Sequence, residues 1–175
     1  MGTLLLLRHG ETTFNAGQVF TGLLDARLTQ AGEAQVAIAA QLIAEAELVP
    51  DIVWQSTMLR ARRTTELLLG HLGFADVPIE ESWRLVERAY GCLTHMSKTE
   101  ARRRYGEEAF FAWRRTMHGR PPDADPAAVA RWSDPAPVRE RGPLSDAVGE
   151  SLADVAARVL PLWREEIRPR AQRPD

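Results

Sequence analysis

Leu4-Leu5-Leu6-Leu7-Arg8-His9-Gly10-Glu11-Thr12 is the stretch that decides the predicted fold, because an apolar run ends abruptly in a cation, an imidazole and a glycine. Four consecutive leucines between polar residues are typical of a strand buried on both faces of a parallel sheet, although a buried helix can contain the same short run. Gly10 permits a sharp turn after the strand, and ligands of open α/β sheets bind at this carboxyl edge. We therefore expect a substrate to reach His9.

Helix and strand patterns alternate after this loop. A helix is predicted to begin at Thr29 and to end near Pro50, and a second helix is predicted over about 58–72. Strands are predicted at 51–54 and, more weakly, at 77–79. The residues expected on the buried face of the first helix recur every four positions: Ala34, Ile38 and Leu42. This alternation indicates βαβ units, and therefore an α/β fold with a mostly parallel sheet flanked by helices.

The composition restricts the class of protein. The chain has 175 residues, 45% hydrophobic content and a net charge of −2, which predicts one globular domain over 1–175. The leucine run is too short for a membrane span or a signal peptide, so we expect a cytoplasmic protein. Cys92 is the only cysteine, which excludes an internal disulfide and a cysteine-based metal cluster. The net charge argues against a nucleic-acid or membrane surface.

The polar residues after the leucine run form a pattern. They are, in order, Arg8-His9-Gly10-Glu11-Thr12, Asn15, Phe20-Thr21-Gly22 and Asp25. The pattern resembles the N-terminal signature of the histidine phosphatase superfamily, specifically its cofactor-dependent phosphoglycerate mutase branch. The resemblance implies a three-layer α/β/α fold, a phosphorylated nucleophile at His9, and substrate contacts from Asn15, Thr21 and Gly22. A lone Arg-His pair would instead be read as an ordinary half-buried histidine at a strand end.

The chemistry of His9 agrees with that implied role. An imidazole with an ordinary pKa of roughly 6.5 is mostly unprotonated at neutral pH and can attack a phosphoryl group. The transferring group spreads negative charge over its oxygens, and the fixed charge and fork geometry of arginine match this charge. Arg8 is the first candidate partner.

Two later segments resemble further motifs of the family. Residues 56–64 resemble its second arginine motif, which implies a phosphate-binding role for Arg60 rather than that of a solvated helix arginine. Residues 82–91 resemble the mutase segment with a general acid or base and a substrate-binding tyrosine, here Glu87 and Tyr90. A carboxylate beside a phosphate has a raised pKa and can hold a proton near neutrality. Without the resemblance, pairing of Glu87 with a neighbouring arginine, Arg84 or Arg88, is the simpler interpretation.

A helical insertion is predicted over about 92–118. A capping pattern at 97–100 opens a short helix that ends near Gly106, and another helix follows over 107–116. Lys98, the only lysine among 22 basic residues, and the pair Arg114-Arg115 match family positions that clamp the substrate's carboxylate and phosphates. An ordinary phosphatase need not have this insertion. The aromatic residues expected to pack it onto the sheet domain are Phe110, Phe111 and Trp113.

The last third of the chain is predicted to contain a lid and a helix. Residues 119–143 are rich in Pro, Asp, Ala and Arg without periodicity, which indicates a long loop that could exclude water from the site. A final helix is predicted from about Ser151, with a kink at Pro161. Its expected apolar face consists of Leu152, Val155, Val159 and Leu162.

The family continues into another strand that delivers a second histidine to the phosphate, and this sequence contains no such motif. The resemblance therefore implies a C-terminally incomplete form of the fold. The implied reaction is interconversion of 3-phosphoglycerate and 2-phosphoglycerate through phosphorylated His9, primed by 2,3-bisphosphoglycerate and without a metal. The alternatives are a small-molecule phosphatase of the same superfamily, or a catalytically impaired remnant that binds phosphorylated ligands or a partner. A homo-oligomer is an open expectation.

Overall fold

A computed structural model of the chain describes residues 2–132, 142–145 and 147–172. Two strands, β1 (Val53–Ser56) and β2 (Ile79–Ser82), pair in parallel with Val53 opposite Ile79. The helices are α1 (Thr13–Ala16), α2 (Gln30–Glu45), α3 (Leu59–Leu72), α4 (Lys98–Arg115), α5 (Pro126–Val129), α6 (Leu152–Leu162) and α7 (Arg168–Ala171). Short 3-10 helices span Trp83–Leu85 and Gly91–Leu93. The unit β1-α3-β2 confirms the predicted βαβ connection and the α/β class.

Helices α7 and α3 flank the two faces of this sheet. Arg170 of α7 lies over the Trp54 ring at 5.2 Å and pairs with Glu80 at 3.2 Å. On the other face, both Oε atoms of Glu81 accept hydrogen bonds from Arg62 of α3, at 2.7 and 2.6 Å. Successive side chains of a strand point to opposite faces, so Trp54 and Glu81 are directed to different helices.

The prediction of a buried strand at the leucine run is wrong for this structure. No strand is assigned between residues 2 and 10, and the side chains of Leu4 to Leu7 are 43–84% exposed. The physical reason is the lack of a pairing partner, since β1 pairs only with β2 and no other described strand lies beside the leucines. Backbone groups without a ladder partner remain exposed to solvent.

Helix α2 begins at the predicted cap, where the Thr29 side chain accepts a hydrogen bond from Gly32 N. Its predicted buried face is wrong. The buried residues are Val36, Ala40 and Ile43, which pack with Leu68 of α3. The predicted face is the outer one: Ala34 is exposed, and Ile38 and Leu42 are each 60% exposed. Helix α2 carries apolar residues on both sides, and periodicity does not show which side a neighbouring helix covers.

Helix α4 contains the predicted break. Gly106 has φ 81° and ψ 162°, a backbone conformation that interrupts the helix. Phe110 is buried with Phe20 and other apolar residues, and Trp113 packs against the same cluster. Phe111 is exposed, so its predicted packing role is wrong. Adjacent helical residues point about 100° apart, so a helix that buries Phe110 turns Phe111 outward.

The described part of the predicted lid is anchored at its start. Pro122 O accepts a hydrogen bond from Cys92 N at 2.9 Å, and Ala124 N donates to Ala147 O at 2.7 Å. Helix α5 then follows, and residues 133–141 of the predicted lid lie outside the described residues.

Helix α6 begins at the predicted Ser151 cap and contains Pro161, and a π-helical turn (Trp163–Ile167) follows it. Of its predicted apolar face, Leu162 is buried, Val155 and Val159 are half-buried, and Leu152 is exposed, which corrects the prediction for Leu152. Leu152 is the first residue of the helix, where less of the neighbouring structure covers it. None of the described helices combines the length and apolar character needed to cross a bilayer.

Candidate active site

His9 is half-buried directly after the leucine run. Its Nδ1 lies 2.7 Å from Gly10 O. A carbonyl oxygen can only accept, so Nδ1 carries the proton and donates this hydrogen bond. The lone pair of the neutral ring is therefore on Nε2, which is the nitrogen that can act as a nucleophile.

The turn that presents His9 is held from two sides. Gly10 N donates to Thr64 Oγ1 at 3.2 Å, and this hydroxyl donates to Arg60 O at 2.8 Å. Gly10 also packs so closely on α2 that a Cβ there would lie 2.4 Å from Gly32 O. Sequence reasoning missed Thr64, which lies one helical turn after Arg60 and links the two motifs.

We expect Gly32→Ala to destabilise the fold, because its Cβ would lie 2.1 Å from Glu11 O and would push away the turn beside His9. The expected loss is roughly 1–3 kcal/mol of unfolding free energy, as for other overpacked sites. Urea unfolding measures it. Gly70→Ala in α3 is the matched control, since nothing lies within 4 Å of its added Cβ. This control should be neutral or stabilising by up to roughly 1 kcal/mol. Equal stability of the two variants would contradict the close packing.

Arg60 is 2% exposed in the first turn of α3, which rules out the interpretation as a solvated helix arginine. Its guanidinium donates to Leu24 O at 3.0 Å, to Gly22 O at 3.1 Å and to Glu87 Oε2 at 3.2 Å. Asp25 caps the same helix by accepting from Leu59 N at 2.7 Å. The loop after the N-terminal motif thus fixes the direction of the Arg60 side chain.

Glu87 joins Arg60 to Tyr90. Its Oε1 accepts from the Tyr90 hydroxyl at 3.2 Å, and its side chain is 34% exposed. Burial, followed by the charge of Glu87, raises the pKa of Tyr90, so the phenol stays protonated and can donate. The sequence also allowed Glu87 to pair with a neighbouring arginine, Arg84 or Arg88. In the structure, Arg84 lies over the Trp83 ring and Arg88 lies over the Tyr90 ring.

The pKa of His9 is lowered from its ordinary value of 6.5. Burial is the largest cause, and the charges of Arg60 and Arg8 act in the same direction. The Gly10 carbonyl and Glu87 oppose the shift. Arg60, Arg8 and Glu87 therefore lie within electrostatic range of the His9 imidazole.

We expect His9 to titrate below pH 6.5, because its protonated form is disfavoured in the folded state. The unfolded chain then binds more protons than the folded chain just below pH 6.5, so the His9 contribution to stability is present above that pH and decreases as the pH falls. The neutral nucleophile also persists at lower pH than an ordinary histidine. NMR titration of the His9 ring proton measures the midpoint, and a midpoint at or above 6.5 would contradict the expectation.

The basic residues of the predicted clamp do not lie equally close to the site. Lys98 is half-buried, and its Nζ donates to Gln18 Oε1 at 3.1 Å. Burial, then the charges of Arg114 and Arg8, lower the pKa of Lys98. Arg114 is half-buried over the Phe110 ring at 4.9 Å, whereas Arg115 is exposed. The described structure therefore brings Lys98, Arg114 and Arg8 into one electropositive cluster, with Arg115 at its edge.

Arg88 was missed as a candidate site residue. It is buried, its guanidinium lies 5.0 Å from the Tyr90 ring centre, and its Nη1 has no hydrogen-bond partner among the described residues. A buried donor without a partner is costly, and such a group often faces a ligand position. Its position directly after Glu87 is the sequence feature that could have indicated Arg88 as a candidate site residue.

The remaining predicted contact residues lie around the first loop. Asn15 Oδ1 accepts from Thr12 N at 3.2 Å, which completes the capping box of α1. Thr21 is buried. Gly22 has φ 54° and lies so near the Tyr90 ring that an added Cβ would be 3.3 Å from it. Among residues 2–132, 142–145 and 147–172, no group of three or more His, Cys, Asp or Glu side chains could hold a metal ion.

Comparison with known proteins shows the family to which the chain belongs. The profile of the histidine phosphatase superfamily (branch 1) matches residues 4–173. A 2,3-bisphosphoglycerate-dependent phosphoglycerate mutase of Corynebacterium kroppenstedtii is 40% identical over 98% of this chain and 68% of its own length. The protein of the same name from Mycobacterium tuberculosis is 42% identical over 95% of this chain and 66% of its own length. The chain thus spans about two thirds of the length of these curated relatives.

Solved structures show the same fold. "Mycobacterial hydrolase 1" is 25% identical with a TM-score of 0.65, over 91% of this chain and 62% of that one. A mycobacterial glucosyl-3-phosphoglycerate phosphatase is 25% identical with a TM-score of 0.63, over 92% of this chain and 61% of that one. The match over residues 4–173 and the identity to the curated relatives show that the chain belongs to the histidine phosphatase superfamily, branch 1, in which it is similar to the 2,3-bisphosphoglycerate-dependent phosphoglycerate mutases.

Proposed function

We propose that this chain transfers a phosphoryl group between 3-phosphoglycerate and 2-phosphoglycerate through a phosphohistidine at His9, primed by 2,3-bisphosphoglycerate. The observation that carries the proposal is the hydrogen bond of His9 Nδ1 to Gly10 O at 2.7 Å, which puts the lone pair on Nε2. The names of the curated relatives support the reaction.

In the proposed first half-reaction, Nε2 of His9 attacks a phosphorus atom of 2,3-bisphosphoglycerate and the bond from phosphorus to the substrate oxygen breaks. Glu87 gives a proton to the leaving oxygen, and Arg8 and Arg60 meet the charge on the phosphoryl oxygens. The product of this step is 2-phosphoglycerate when the phosphoryl group comes from the 3-position. In the second half-reaction, the 2-hydroxyl of a 3-phosphoglycerate attacks the phosphohistidine, the bond from phosphorus to Nε2 breaks, and Glu87 accepts the hydroxyl proton. 2,3-Bisphosphoglycerate, free His9 and the proton on Glu87 are regenerated, and one 3-phosphoglycerate has become 2-phosphoglycerate.

The rest of the substrate needs further cations. Arg8 and Arg60 suffice for one phosphoryl group, whereas a carboxylate and a second phosphate require positive charge some distance away. Lys98 and Arg114 are the half-buried cations that electrostatics links to the site. Arg88, with a buried and unpartnered Nη1, is the third candidate.

A small-molecule phosphatase is the second candidate function, because the similar solved structures include a phosphatase. The two functions differ in what accepts the phosphoryl group from His9, a phosphoglycerate hydroxyl or water. The proposal also puts the chain in the cytoplasm, with a small phosphorylated acid as its ligand and neither a nucleic acid nor a membrane as its partner. Self-association stays a prediction that light scattering can check.

We expect Lys98→Ala and Arg114→Ala to weaken 3-phosphoglycerate binding by roughly ten- to a hundredfold, the loss of one charge-assisted hydrogen bond. Binding of inorganic phosphate should change less than about threefold, since its partners are elsewhere. Isothermal titration calorimetry with both ligands measures the difference. Arg103→Ala on the same helix is the matched control, because Arg103 is exposed. Equal losses for the two ligands would favour the phosphatase.

A further inference from the structure

The segment that carries Glu87 has no regular structure to fix its position. Glu87 lies between the two 3-10 helices, Trp83–Leu85 and Gly91–Leu93. Residues 86–89 form neither a helix nor a strand, and Tyr90 forms only an isolated antiparallel bridge with Gly149. A proton carrier must lie within hydrogen-bond reach of the reacting oxygen, so some other part of the molecule has to hold this backbone.

One buried guanidinium gathers the carbonyls of this segment. Arg158, on α6, donates from Nη1 to Arg84 O at 2.5 Å. Its Nη2 lies 2.9 Å from Val86 O and 3.2 Å from Glu87 O. These contacts join residues more than 70 positions apart, and one of the acceptors is the carbonyl of Glu87 itself.

A buried carboxylate completes the arrangement. Glu150 pairs with Arg158 through Oε1 at 2.9 Å and Oε2 at 3.2 Å. Its Oε2 also accepts from Ala89 N at 2.8 Å, and its own N–H donates to Ala89 O at 2.8 Å. Arg158 therefore holds the chain before and at Glu87, while Glu150 holds it two residues after.

We propose that Arg158 and Glu150 are positioning residues for phosphoryl transfer, because together they fix the backbone on both sides of Glu87 and so hold its carboxylate between Arg60 and Tyr90. This inference rests on the proposed role of Glu87. Neither side chain touches the substrate in this account. Arg158→Lys would keep the positive charge beside Glu150, but the ammonium group could not reach the separated carbonyl acceptors, because it lacks the planar fork of arginine.

The test is a double-mutant cycle on the 175-residue chain with Arg158→Lys, Glu87→Gln and the double variant. The first readout is the pKa of His9 by NMR titration. The charged groups acting on His9 are Arg60, Arg8 and Glu87, and Glu87 is the only one of these three that raises this pKa. Arg158→Lys and Glu87→Gln should each lower the pKa of His9. The double variant should have the same pKa of His9 as Glu87→Gln alone.

The second readout is the rate of phosphoenzyme formation. Arg158→Lys should slow it by roughly ten- to a hundredfold alone, as misplaced groups do, and by less than about twofold in the Glu87→Gln background. Arg62→Lys is the matched control, because Arg62 makes a similar two-bond contact with Glu81 away from the site. It should change neither readout.

The outcomes separate this inference from the proposed function. If Glu87→Gln leaves the rate unchanged, the proposed role of Glu87 fails, and the titration still tests the positioning. An unchanged pKa of His9 in folded Arg158→Lys, or an equal shift in both backgrounds, overturns the positioning role. Circular dichroism and phosphate binding check the fold. If Arg158→Lys does not fold, Glu150→Gln is measured in its place, with the same expected results. If neither variant folds, the two residues are needed for folding itself, and the proposed positioning role is overturned.

Discussion

Replacement of His9 by alanine is expected to abolish the acid-labile phosphoryl label that 2,3-bisphosphoglycerate transfers to the protein. The reason is chemical, because the methyl group of alanine has no lone pair and the phosphoryl group then has no acceptor at this position. The positive charges of Arg8 and Arg60 remain, so inorganic phosphate should still bind. Filter-bound label before and after acid treatment is the measurement.

His118→Ala is the matched control for this experiment. His118 is an exposed histidine that also precedes a glycine, but it lies after α4, and its removal should leave the label unchanged. Label that persists in His9→Ala, or that disappears in His118→Ala, would show that a different residue carries the phosphoryl group.

Glu87→Gln is expected to slow phosphoryl transfer by roughly a hundred- to ten-thousandfold, the usual contribution of a positioned proton carrier. Glutamine keeps the shape of the side chain but cannot exchange a proton at neutral pH. Arg60 loses its carboxylate partner yet keeps its bonds to the carbonyls of Leu24 and Gly22. Phosphate affinity should therefore change by less than about threefold, which calorimetry can check beside the transfer rate.

Glu81→Gln provides the comparison, because Glu81 also pairs with an arginine but lies on β2 and contacts Arg62 and Gln55. This variant should transfer at the original rate. A Glu87→Gln protein that is as fast as Glu81→Gln would leave the site without its proposed acid and base. A loss of phosphate binding in Glu87→Gln would instead show that the carboxylate supports the position of Arg60.

Local sequence patterns predicted which helices and turns form better than they predicted which elements pack against one another. The βαβ unit, the Thr29 cap and the break at Gly106 depend on nearby residues, and the structure contains all three. The leucine run failed as a strand because pairing depends on what lies beside it. The buried face of α2 failed for a similar reason, since only the contact with α3 distinguishes Val36 from Ile38.

The candidate site shows the same division. The motifs predicted which chemical groups to look for, and the structure brings His9, Arg60 and Glu87 within electrostatic reach of one another. Sequence alone could not reveal Thr64 or the pair Glu150 and Arg158, because their roles arise from hydrogen bonds to distant backbone groups. An arginine on the apolar face of α6 was the one available signal for that pair.

Identification of the phosphorylated atom shows directly which residue, and which of its nitrogens, accepts the phosphoryl group. The chain is incubated with 2,3-bisphosphoglycerate, denatured in alkali, and examined by phosphorus NMR and by mass spectrometry of its peptides. Because Nδ1 of His9 donates to Gly10 O at 2.7 Å, we expect phosphohistidine at His9 with the phosphorus on Nε2. Phosphorus on Nδ1, or on any residue other than His9, would contradict it.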